Sequence, residues 1–149
     1  MTNVILVMMD TARYDTILDA QADLPAFETL QDQGTTYTSA FASAPWTLPS
    51  HGGLFSGQYS SRHGASAAAK RFPKHAPTVI ETFENASYET VAVSNNTWIS
   101  GEFGFARGFD TFRKNWQYIQ SDVDLGKIAR EEEGVDKVRG VAKQLLDGN

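Results

Sequence analysis

Asn3-Val-Ile-Leu-Val-Met-Met9, followed at once by Asp10-Thr-Ala-Arg13, is the stretch on which the fold class turns. A short, continuous apolar run rich in β-branched residues predicts a strand buried on both faces. Asp10 ends the run. A carboxylate just past the C-terminal end of such a strand lies where open α/β sheets place ligands. Asp is also a common helix N-cap, and the local pattern accommodates both readings equally. A second run of the same kind, Thr90-Val-Ala-Val93, sits inside Glu89 to Ser94. Helical segments separate the two. That alternation predicts an α/β protein, a three-layer α/β/α arrangement around a mostly parallel sheet. Val4 to Met9 and Thr90 to Val93 are expected as neighbouring or near-neighbouring parallel strands.

Working outward, Leu24 to Gln33 reads as a helix, with Pro25 early, Phe27 and Leu30 three apart, and Gly34 as its stop. Thr35 to Ala42, with Tyr37 and Phe41 in a period-2 pattern, reads as a strand or extended segment. Pro49 suits the first turn of a helix that Gly57 ends, with Leu54 and Phe55 facing inward. Ser60 to Phe72 is small, polar and basic, and reads as loop. Pro77 to Asn85 predicts a further helix with Val79, Ile80 and Phe83 on one face. Gly101 to Phe112 holds three Gly and four Phe and reads as a structured loop. Ile128 to Leu146 is helical at its end, on a stripe of Val135, Val138, Val141 and Leu145 or Leu146. An alternating pattern should run on from there into another strand, so residues 1–149 are expected to be the N-terminal part of a larger catalytic domain.

The charge balance, 13 basic against 18 acidic side chains in 149 residues, gives −5. That argues against a nucleic-acid partner, which selects for a basic excess. A 41% hydrophobic and 21% charged composition is that of an ordinary globular domain. The absence of cysteine removes disulfide scaffolds, thiolate metal sites and thiol nucleophiles together. No apolar run approaches the roughly 20 residues of a membrane helix, and no basic leader precedes Val4, so no membrane partner and a cytoplasmic location are expected.

Chemistry concentrates at two places. Trp46-Thr-Leu-Pro-Ser-His51 puts the Thr47 hydroxyl at the mouth of a helix, where unpaired N–H groups and the dipole favour phosphate or sulfate. A Thr hydroxyl is a poor nucleophile at neutral pH and needs a base or a metal. Asp10 could offer such a metal one hard oxygen. Taken locally, the plainer reading of the Thr47 hydroxyl is a helix cap, and it is favoured.

The ordered set of motifs changes that balance. Asn3 to Asp15, Thr47-Leu-Pro-Ser-His51, Leu54-Phe-Ser-Gly-Gln-Tyr59, Arg62-His-Gly64 and Gly108-Phe-Asp-Thr-Phe112 together resemble the N-terminal part of the sulfatase family, within the alkaline-phosphatase-like superfamily. Each match alone is weak, whereas five in the right order are specific. The resemblance implies that Asp10 binds a catalytic divalent metal, of the Ca, Mg, Mn or Zn kind, and that Thr47 is both nucleophile and metal ligand. The substrate class it implies is a small anionic ester. True sulfatases carry Cys or Ser at the position of Thr47 and convert it to formylglycine. The Cβ methyl of threonine closes that route, which leaves phosphoester cleavage favoured over aldehyde-based sulfatase chemistry.

The chain also departs from the family pattern. Thr11 replaces the usual second Asp, and His51 stands where the family has Arg. A histidine there is partly charged near neutral pH and could donate to an anion or to Thr47. Arg13 could bind the anion, although pairing with Asp10 or Asp15 is the commoner fate of such a residue. Asn95 and Asn96 replace the Lys and His that touch substrate in the family, and could donate hydrogen bonds to an ester oxygen or simply form a turn. Arg62 and His63 are expected to brace the loop after the Thr47 helix. No Asp-His or Asp-Asn-Gly segment supplies the family's remaining metal ligands, so a catalytically silent fragment is the alternative to an active hydrolase. A flavodoxin-like domain would need a phosphate loop after the first strand, and Met9 to Arg13 contains no Gly.

Overall fold

In a computed structural model, residues 2–18 and 24–115 are described. The chain divides into two units, Met1–Phe41 and Ala42–Asn149. In the first unit, α1 spans Tyr14–Leu18 and α2 spans Pro25–Gln33. Pro25 opens α2, where its missing N–H costs nothing. No side chain of α2 is buried. The expected helix is present, with Phe27 half-buried and Leu30 exposed on its apolar face.

The first stretch departs from expectation. Residues 2–9 carry no strand, and Val4, Ile5, Leu6 and Val7 are 55 to 78% exposed. A two-face-buried strand exists only when strands flank it and layers cover it. Among the described residues the sheet has two strands, and they pair with each other. Residues 35–40 likewise carry no strand, and a turn interrupts them at positions 38–39.

The second unit holds the core. Here α3 is Thr47–Ser56, α4 is Ser60–His63, α5 is Val79–Asn85, β1 is Val91–Ser94 and β2 is Thr111–Lys114. The short helix α4 lies in the segment expected to be loop. It starts where α3 has ended at Gly57, whose left-handed φ of 66° and N–H bond to the Gly53 carbonyl terminate the helix. Gly64, at φ 84°, ends α4 in the same way. Phe55 is buried as expected, but Leu54 is half exposed. In α5, Thr78 and Glu81 form a reciprocal capping box. Val79 points outward there, leaving Ile80 and Phe83 half-buried.

Strand β1 pairs in parallel with β2, Val91 opposite Thr111 and Ser94 opposite Lys114. The sequence placed Thr111 and Phe112 in a loop. Their strand is short, and only its Thr111-Phe112 half is partly buried, so no period-2 pattern marks it. The crossover ends at Gly108, where φ is 78° and a Cβ would lie 2.7 Å from the Glu81 nitrogen. Two residues on, the Asp110 carboxylate accepts the Thr90 N–H at 2.8 Å, and the Thr90 hydroxyl accepts the Asp110 N–H at 3.0 Å. The one proton of that hydroxyl is shared between the Gly108 carbonyl at 2.6 Å and the Asp110 carboxylate at 2.9 Å. This clasp sets the register of both strands. The helix expected at Ile128 to Leu146 lies outside the described residues.

Those N–H and O–H donors, the Thr90 N–H first, hold the Asp110 carboxyl below its ordinary 3.8. A carboxyl whose folded pKa is depressed stabilises above its unfolded pKa and loses that contribution as pH falls through the folded value. Thr90→Val removes the hydroxyl and leaves the Gly108 carbonyl and the Asp110 N–H without it. Loss of about 1–3 kcal/mol is expected in denaturant unfolding, together with a shallower stability decline below pH 4. An unchanged midpoint would show that the clasp contributes nothing.

Candidate functional site

The helix that carries Thr47 is fixed from below. Leu48 and Phe55 lie in the core with Phe72, Phe105, Ala65, Ala76 and Ile99. Phe72 stacks on Phe105 at 5.1 Å, and Phe55 meets the edge of Phe105 at 5.6 Å. Trp46, just before the helix, packs edge-on against Trp98 at 5.4 Å. Both ends of the helix are thereby pinned by aromatic contacts worth about 0.5–1.5 kcal/mol per pair.

The cap position of α3 is Trp46, in extended conformation, and no side chain makes a capping bond there. Thr47 is thus the first helical residue, and the capping role that local pattern favoured for it does not apply. Pro49 follows in the first turn, where its lack of an N–H suits the helix mouth. His51, one turn later on the same face, places Nδ1 2.9 Å from the Thr47 carbonyl. A carbonyl only accepts, so Nδ1 carries the proton, and Nε2 is the nitrogen left for acid–base work.

Beneath the helix is a residue whose weight the sequence understates. The His63 ring is fully buried, edge-on to Phe72 at 5.8 Å. Its Nδ1 accepts the Ala65 N–H at 3.1 Å. The ring fits under α3 because Gly52 has no side chain; a Cβ there would lie 2.9 Å from Cε1 and 3.2 Å from Nε2. The signal was present as Gly52-Gly53 inside a helical pattern, which marks close approach. Burial pushes the His63 pKa below 6.5, with the Pro49 carbonyl opposing that in part.

Of the other expected site residues, Asp10 and Arg13 belong to the first unit and Asn95 and Asn96 to the second. Asp10 lies in the first unit, in an exposed turn closed by the Ala12 N–H to the Met9 carbonyl at 3.3 Å. Thr11 beside it has φ 67°, a left-handed conformation that a β-branched residue adopts only under strain. Arg13 forks onto Asp15, donating from Nε at 2.9 Å and also from Nη2, and this ion pair lowers the Asp15 pKa. That is the local pairing expected of it, and the anion-binding role has no support from this contact. Asn95 is exposed at the C-terminal end of β1, and Asn96 Oδ1 accepts the Trp98 N–H at 2.8 Å. The Asn96 side chain thus shapes the turn leaving the strand. Nearby, Lys114 holds the Glu102 carboxyl down to about 2 and ties β2 to the 101–108 turn.

Among the described residues no group of three or more His, Asp or Glu could hold an ion. A hard divalent cation wants about six oxygens, and Asp10 with Thr47 offers two side chains. The donor set therefore does not fit a metal by itself. No helix among the described residues is long and apolar enough to cross a membrane.

A parallel strand pair joined through helical and turn segments defines an α/β chain among the described residues. The family model described as Sulfatase matches residues 2–135, most of the chain. The protein belongs to the sulfatase family, and the family carries with it an alkaline-phosphatase-like α/β fold and, in general, the use of a divalent metal. No curated protein and no solved structure matches the chain.

Gly52→Ala should report on the packing under α3. Overpacking costs about 1–3 kcal/mol, and the helix-propensity gain returns only about 1. A net fall in thermal midpoint is expected in circular dichroism. A raised midpoint would mean that the His63 ring is free to move aside.

Proposed function

We propose that this sulfatase-family chain is the nucleophile-bearing part of a hydrolase that cleaves phosphate esters, with Thr47 as the attacking residue. The observation that carries this reading is Thr47 at the first position of a helix whose cap bears no side-chain bond. The N-terminal turn of such a helix attracts the anionic ester. In the step itself, the Thr47 hydroxyl gives its proton to Nε2 of His51, the oxygen bonds to phosphorus, and the bond to the alcohol oxygen breaks. The protonated His51 returns the proton to the leaving alkoxide, and water then hydrolyses the phosphothreonine. Asn95 and Asn96 would donate to the ester oxygens, and Arg13 would assist only after exchanging Asp15 for the anion.

Threonine excludes formylglycine, so sulfate ester turnover is expected to be marginal. A divalent ion of the family's kind would take Asp10 and Thr47 as two of its ligands. The rest of its shell must come from outside the described residues, and the three-layer sheet around Val4 to Met9 belongs to the same proposal. Residues 1–149 alone are accordingly expected to show little turnover. This count of ligands also favours the second reading, a silent chain, wherever the shell is not completed.

The test is a parallel assay of residues 1–149 and of a chain extended to a complete ligand shell, on phosphomonoester, phosphodiester and aryl sulfate, with Ca, Mg, Mn and Zn. Phosphoester cleavage by the extended chain should fall at least ~10²–10³-fold in Thr47→Ala, while Ser50→Ala keeps most of it. Turnover that survives Thr47→Ala would remove Thr47 as nucleophile. Robust turnover by residues 1–149 would overturn the ligand argument.

A further inference from the structure

Three features put His63 in an unusual position. Its ring is fully buried, Nδ1 is an acceptor, and Nε2 finds no hydrogen-bond partner. With Nδ1 accepting from Ala65, the neutral ring must carry its proton on Nε2, on the side that faces Gly52. A second proton has only Nδ1 to go to. There it would point at the Ala65 N–H, setting donor against donor in a site without water contact.

The groups placed against the ring are Gly52 and the Pro49 carbonyl of α3, Ala65 and Phe72. The titratable or charged side chains of the elements around it are His51 on α3, Arg62 on α4, Lys70 and Arg71 on the segment leading to Phe72, and Glu102 and Arg107 on the 101–108 turn, the Arg107 guanidinium lying 5.6 Å from the Phe72 ring centroid. The one carboxylate, Glu102, is paired with Lys114, and the Pro49 carbonyl only partly offsets the burial that disfavours an imidazolium. Protonation therefore has one low-cost outcome, movement of the ring away from Ala65 and Gly52. The ring fills the space against Gly52, which lies about 7.5 Å along the helix from Thr47, so its withdrawal removes support from under the first turns of α3.

We propose that His63 is a positioning residue for the first turn of α3, holding Thr47 in place while its ring is neutral and releasing it when Nδ1 takes up a proton. The inference rests on the reading of Thr47 as nucleophile for its functional meaning, but not for its test. A buried neutral histidine stabilises the fold above its unfolded pKa, and that contribution declines as pH falls below about 6.5 toward the lower folded value.

The experiment is an NMR titration of the isotopically labelled chain from pH 8 to pH 5, in a His51→Gln background so that no titration at Thr47 arises from His51. The His63 Cε1–H resonance gives the midpoint of the ring. The amides of Ala65, Thr47 and Leu48 are expected to shift with that same midpoint. In His63→Asn, whose Oδ1 keeps the Ala65 bond but does not titrate, those shifts should vanish. Thr47 and Leu48 amides that stay flat while His63 titrates would overturn the proposal, as would a ring that stays neutral until the chain unfolds. Should the amides move together while Thr47→Ala retains phosphoester turnover, the coupling stands and the nucleophile assignment falls.

Discussion

The parallel stack of Phe72 on Phe105 is the contact on which the second unit depends. Phe55 from α3 meets its Phe105 side, His63 from α4 meets its Phe72 side, and the Arg107 guanidinium lies over the Phe72 ring. The Phe72 N–H also donates to the Phe103 carbonyl at 2.8 Å, so the stack is tied through the backbone as well. Burying each ring is worth about 1.5–3 kcal/mol, more than any single polar contact nearby. Helix α3 and the 101–108 turn thus share one support. The position of Thr47 is a consequence of aromatic packing some distance behind it.

Arg107 extends that support to α5. It donates to the Lys74 and Ala76 carbonyls and lies 3.5 Å from Glu81, which itself completes the capping box with Thr78. One guanidinium therefore satisfies two loop carbonyls that have no partner in a helix or sheet. Gly108 then brings the chain back against α5, and the Thr90–Asp110 clasp hands it into β2. The Gly-Phe-Asp-Thr-Phe motif of the sulfatase family is, in this chain, the hardware of a strand register.

What the sequence revealed follows from what pattern can encode. Helix α3 was legible because Pro49 and Gly57 mark its ends by backbone chemistry alone. Pairing of Arg13 with Asp15 was legible because two residues of spacing suffice for the fork. Helix α4 was not, since Ser60-Ser-Arg-His63 has no apolar period and is held by its two flanking turns. Val4 to Met9 shows the opposite failure: its pattern states a demand for burial on both faces, and burial depends on partners no local pattern contains. At the candidate site, Thr47 was singled out through the ordered family motifs, whereas the depth of His63 could be seen only once Gly52 was known to lie over it.

The apolar run at residues 4–9 carries a consequence for handling the protein. Six consecutive residues without charge or proline, all of high strand or hydrophobic propensity, and with several side chains more than half exposed, make a template for intermolecular β-pairing. The net charge of −5 gives long-range repulsion between copies, but that repulsion is screened beyond about 8 Å at physiological ionic strength. Colloidal behaviour should therefore depend strongly on salt. At low ionic strength the copies hold apart, and as salt rises the same six residues that would form a central strand become the seed of an aggregate.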